Sequence, residues 1–94
     1  MTYETLLAMA KDGRNKTYQT ASGQEFRIDV FNDCPFFIPS SSGLGRSDGR
    51  RAAERFVERF NETGSPRPAD YRDVTRNASY FLALIASTDE WPSA

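Results

Sequence analysis

Ninety-four residues, 38% hydrophobic, 13% aromatic and 27% charged, suffice for one small domain with its own core and are too apolar for a disordered tail. Twelve basic and thirteen acidic side chains leave a net charge of −1, which argues against a surface that attracts nucleic acid everywhere. With no histidine and a single cysteine, Cys34, the chain excludes serine–histidine and cysteine–histidine catalysis within one subunit, common zinc sites and internal disulfides.

The chain opens with Tyr3, Leu6, Leu7 and Ala10 at helical spacing; Thr2 can cap the start and Gly13 can stop the helix after Lys11. Such a short amphipathic helix is unstable alone in water and must pack on something else. From Lys16 the period becomes two. "KTYQT" and "EFRIDVF" alternate, with Phe26, Ile28 and Val30 on one face and Arg27 and Asp29 on the other. "ASGQ" between them supplies the glycine of a tight turn, so a β-hairpin is expected. After "NDCP", the run "FFIP" reads as a third strand, which its bounding prolines confine to a sheet edge or a strand end.

From Asp48 the helical period returns through Ala52, Ala53, Phe56, Val57 and Phe60, with Ser47 or Asp48 as the cap and Gly64 as the stop. "SPRP" breaks the chain. A last helix is then expected to carry Tyr71, Val74, Ala78, Phe81, Leu82 and Ile85 on one face, with Asp70 and Asp73 in its first turn, where the helix dipole favours acids. "YFLALI" is apolar nearly all round, which places this helix centrally in the core. Residues 89–94 read as a loosely ordered tail onto which Trp91 can dock back. The expected fold is α+β, one domain over 1–94, a three-stranded antiparallel sheet packed against about three helices in the order α-β-β-β-α-α.

No run reaches the length of a membrane span and the N-terminus lacks the order of a secretory signal, so a cytoplasmic location is expected. The sequon "NAS" at Asn77 is then without consequence. Charge is unevenly spread: residues 46 to 76 hold eight arginines against six acids, and ten of the twelve basic side chains are arginine, suited to bidentate contact with phosphate or carboxylate.

The strongest candidate site is the loop "PSSSGLGRSDGRR". Ser41 and Ser42 offer hydroxyls, its glycines let backbone amides approach a ligand, a helix start follows, and Arg46, Arg50 and Arg51 supply counter-charge. It lacks the ending of a Walker loop and the glycine spacing of a dinucleotide fingerprint. A plain connection with a helix cap is the competing reading. Arg72 and Arg76, four apart on the expected last helix and flanked by Thr75 and Asn77, form a second set suited to phosphates or base edges, or an ordinary exposed face. Arg51, Arg55 and Arg59 run beside Glu54, Glu58 and Glu62, a pattern usual for weak surface ion pairs.

Asp29, Asp33, Asp48 and Asp73 would have to converge in space to hold magnesium, and nothing in their spacing says that they do. No metal or other cofactor is expected. Cys34 reads as a small packed residue. Phe31, Phe36 and Phe37 cannot all face one side of a meander, and a projecting phenylalanine suggests a subunit contact more readily than a base-stacking platform.

Through "TYQTASGQEF", "FIPSSSG" and "YRDVTRNASYFLALI" the chain resembles small proteins carried on mobile integron gene cassettes, and more faintly accessory DNA-binding segments of restriction-type proteins. The resemblance implies a compact bacterial accessory protein, with oligomerisation open, and carries over no activity or catalytic residue. The function expected is a non-enzymatic module binding nucleic acid or another phosphate-bearing partner. The alternative is a protein-interaction or self-assembly unit, a homo-oligomer with no nucleic-acid role.

Overall fold

In the computed structural model, which describes residues 1–88, the order is α1 (Tyr3–Asp12), β1 (Thr17–Gln19), β2 (Glu25–Phe31), β3 (Cys34–Pro39), α2 (Arg50–Thr63), a 3-10 turn (Pro68–Tyr71) and α3 (Ala78–Ala86). This is the α+β arrangement expected, with three helices and a three-stranded antiparallel sheet in the order β1-β2-β3. The expected tail and Trp91 lie outside the described residues.

The register of β2 and β3 follows from the turn that joins them. Asn32 and Asp33, with φ of 53° and 56°, close the β2–β3 hairpin as a two-residue turn whose left-handed conformation suits asparagine and aspartate. The third strand therefore begins at Cys34, two residues before the expected "FFIP". Phe26 and Ile28 of β2 and Pro35, Phe37 and Pro39 of β3 share the buried face, while Phe31, Cys34 and Phe36 lie on the other. In this register the amide positions of residues 35, 37 and 39 point to the free edge of β3. Two are prolines without a donor. The third, Phe37, exchanges both backbone hydrogen bonds with Arg46, at 2.9 and 2.7 Å. The edge is thereby closed to further strand pairing.

The helices cover the buried face through aromatic rings. Phe37 packs edge-on against Phe81 with ring centroids 4.9 Å apart, and Phe81 stacks on Phe56 at 4.7 Å. Phe26 meets Tyr80 at 4.9 Å, and Phe56 meets Tyr71 at 4.7 Å. One chain of rings thus links the sheet, α3, α2 and the 3-10 turn. Leu6, Met9 and Ala10 add the buried side of α1, whose start is capped as expected by Thr2 Oγ1 accepting the Thr5 amide. Gly64 ends α2 with φ 59°, its amide donating to Phe60 O.

Two helix boundaries differ from expectation. The first turn of α2 has no side-chain cap: Gly49, at φ 88°, precedes it, Ser47 Oγ accepts the Gly49 amide, and Asp48 is engaged elsewhere. The expected last helix is split, so Tyr71 and Val74 precede α3. Asp48 Oδ2 accepts the Arg76 amide at 2.7 Å, and Thr75 Oγ1 accepts the Asn77 amide at 3.0 Å. Both amides are drawn from the bonds a continuous helix would need. Asp73 accordingly accepts from Arg59 of α2, and Asp70, in the 3-10 turn, accepts from Ser65 and Arg67; neither is a first-turn acid of α3.

Phe37→Ala is expected to lower stability by about 3–5 kcal/mol, as cavity-forming phenylalanine replacements do. Phe31→Ala, at a position 67% exposed, should stay within about 0.5 kcal/mol of the parent. Urea unfolding midpoints compare the two, and equal shifts would contradict the placement of Phe37 at the centre of the core.

Candidate functional site

The loop of residues 40 to 49 is exposed throughout, yet its second half is held at two places. One anchor is the Phe37–Arg46 pairing; the other is the Asp48 carboxylate, which accepts the Thr75 hydroxyl and the Arg76 amide, each at 2.7 Å. Asp48 therefore fastens the start of α2 to the segment before α3. The two arginine sets, distant in sequence, come onto adjoining segments.

Within this frame the candidate residues separate into engaged and free groups. Arg46 lies along Tyr80, its guanidinium 3.5 Å from the phenol oxygen and 5.9 Å from the ring centroid. Arg50 sits 4.6 Å over the Tyr3 ring and pairs with Glu54 at 3.3 Å. Tyr3 in turn donates to Asp33 O at 2.7 Å. Burial, followed by the neighbouring Cys34 thiol, raises the pKa of the Tyr3 phenol well above its ordinary value, which keeps it a neutral donor and ring. Arg46 and Arg50 thus help to pin the loop to the body.

Arg51, Arg72 and Arg76 are exposed and have no carboxylate within ion-pair distance among the described residues, and the same holds for Arg55. Arg72 and Arg76 line one cleft of about 150 Å³ with Thr75 and Ser79. They are not on α3: Arg72 follows the 3-10 turn and Arg76 lies in the bend fastened by Asp48. Ser41 is exposed, and Ser42 Oγ accepts the Leu44 amide at 3.3 Å, so Ser42 stabilises the loop's own turn. Asp48 carries a negative charge between the arginine sets, partly absorbed by its two donors. It offsets one guanidinium and leaves the face basic.

The glutamate rows of α2 have a smaller role than their spacing implies. Only Arg50–Glu54 pairs along the helix among the described residues, whereas Arg59 turns to Asp73 in a bidentate contact at 2.9 and 3.0 Å and also donates to Asp70 O. The acids considered for a metal are dispersed: Asp29 faces Arg14 at 3.6 Å, Asp33 is in the hairpin turn, Asp48 binds Thr75 and Asp73 binds Arg59. No group of three metal-ligating side chains gathers among the described residues. Asn77, within the sequon, is 2% exposed, so folding removes it from reach of a modifying enzyme.

Sequence reasoning missed a second feature. On the outer face of the sheet, Phe31, Cys34 and Phe36 face Gly45, Arg46 and Ser47 across an apolar pocket of about 310 Å³. Among the described residues, Phe31 and Leu44, 67% and 72% exposed, are the large hydrophobics left most open to solvent. The alternation of "EFRIDVF" and "CPFFIP" already puts Phe31 and Phe36 on the outer face. The opposite wall depends on a loop pairing that has no local signal.

Arg59 holds the Asp73 carboxyl below its ordinary pKa of 3.8, and the Ser65 hydroxyl followed by Arg67 does the same for Asp70. A carboxyl more acidic when folded contributes stability above its unfolded pKa and loses it as pH falls through the folded value. Urea midpoints should therefore decline on the acid side, below about pH 4, and Asp73→Asn should make that decline shallower. An unchanged acid limb in the variant would refute the assignment.

Comparison with known protein families, curated proteins and solved structures finds no match, so the chemistry of this face carries the functional reading.

Proposed function

We propose that the protein is a non-enzymatic binding module for a phosphate-bearing polymer, a nucleic acid, held by the arginine face where α2 meets the segment before α3. The observation that carries this reading is the Asp48 fastening, which holds the start of α2, where Arg51 lies, to the segment of the Arg72–Arg76 cleft, while all three guanidiniums lack a carboxylate partner among the described residues. Unpaired guanidiniums fork onto phosphate oxygens without first breaking an internal ion pair. Arg46 and Arg50 position the loop, with Ser41 and Ser42 at its exposed tip.

A net charge of −1 confines attraction for a polyanion to this face and gives weak binding elsewhere, as suits a module with one docking side. Free Cys34 fits a reducing, cytoplasmic setting, and among the described residues no helix is long and apolar enough to cross a membrane. The gene-cassette resemblance belongs to the same proposal, as an accessory role in a mobile element.

Binding of a labelled DNA or RNA oligomer should weaken steeply with added salt. Arg51→Ala and Arg76→Ala should each reduce the slope of log K against log salt by roughly one. Salt-independent binding, or none at low salt, would remove the reading.

The exposure of Phe31 and Leu44 favours a second reading, self-assembly through the outer face of the sheet. Under it, sedimentation would show concentration-dependent association of the parent chain that Leu44→Ser abolishes. A monomer at every concentration would exclude it.

A further inference from the structure

The apolar pocket adjoins the segment that carries Arg76. Ser47 in the pocket lining, its Oγ 3.5 Å from Cys34 Sγ, is followed by Asp48, whose carboxylate accepts the Thr75 hydroxyl and the Arg76 amide. We infer that this pocket receives an unpaired base of a single-stranded nucleic acid whose phosphates lie on the arginine face. The inference rests on the phosphate-binding reading and names its substrate class: single strands in preference to duplex.

Three observations favour a base over another apolar occupant. The first is shape and chemistry: two phenylalanines, Phe31 and Phe36, line a cavity of about 310 Å³, near the lower end of the usual range for small-ligand pockets and with room for one planar heterocycle. The second is Gly45, where an added Cβ would come within 2.8 Å of two Phe36 ring carbons. Its lack of a side chain lets the loop approach the Phe36 ring, so both line the pocket. The third is charge. An apolar pocket next to a segment that carries unpaired guanidiniums matches a ligand that alternates flat aromatic groups with anionic links, and single-strand binders combine ring stacking with a basic track in this way. A duplex holds its bases within the stack and offers none to such a pocket without being opened.

Phe31 is the residue on which to test this, because its exposure separates binding from folding. Fluorescence anisotropy at low salt would compare an oligothymidylate of about ten nucleotides, a duplex of the same length and an abasic deoxyribose-phosphate oligomer, each with the parent chain, Phe31→Ser and Phe31→Trp. The parent should bind the oligothymidylate roughly tenfold or more tightly than the abasic oligomer and the duplex. Phe31→Ser should bring the oligothymidylate down to the abasic level, and Phe31→Trp should retain the preference. Equal binding of oligothymidylate and abasic oligomer would overturn the base pocket and leave the arginine reading intact. No binding of any oligomer would overturn both. A Phe31→Ser variant that binds oligothymidylate like the parent while losing self-association in sedimentation would reassign the pocket to contact with a second copy.

Discussion

The pairing of Phe37 with Arg46 is the constraint on which the rest of the structure depends. The Phe37 ring sits at the centre of the core, between Phe26, Tyr80 and Phe81, while its backbone amide and carbonyl hold Arg46. One residue thus joins the packing of the sheet to the path of the loop. With Pro35 and Pro39 on either side unable to donate, Phe37 is the residue of this edge that both donates to and accepts from the loop, while the Pro39 carbonyl accepts the Ser42 and Gly43 amides. The pocket wall, the stacking of Arg46 on Tyr80 and the entry into α2 all follow from that attachment.

Asp48 supplies the complementary restraint. A helix of this composition would ordinarily use an aspartate at this position as its own cap. Here the carboxylate reaches across to Thr75 and Arg76, and the first turn of α2 is left with a glycine before it. The same contact ends any helical continuity between Tyr71 and Ala78. A local capping interaction, typically worth about 1 kcal/mol, has been exchanged for a tertiary one that sets the relation of two segments. That exchange holds the start of α2 against the segment that carries Arg76.

The ten arginines consequently have different roles. Arg59 and Arg67 are joined to Asp73 and Asp70 and brace the connection between α2 and α3. Arg50 covers Tyr3, and Arg46 covers Tyr80, each spreading a weakly hydrated guanidinium over an aromatic face. Arg51, Arg55, Arg72 and Arg76 remain exposed without acidic partners among the described residues. Exposed ion pairs contribute little to stability, so leaving these guanidiniums unpaired sacrifices little.

Local pattern in the amino-acid sequence determined the α+β class, the element order, the capping by Thr2, the stop at Gly64 and the buried rows of β2, α2 and α3. Each depends on periodicity or on a single residue's backbone preference, which nearby residues decide. Prolines 35 and 39 also marked β3 as an edge strand, since a missing amide is a property of the residue itself. Only the tertiary structure decided that Asp48 would serve Thr75 and Arg76, that Arg59 would choose Asp73 over the nearer Glu62, and that Arg46 would pair with Phe37. Those choices lie between groups 9 to 28 residues apart. Alternative partners of equal chemical merit stand closer along the chain, and it is packing of the ring core, bringing some together and parting others, that settles which bonds form.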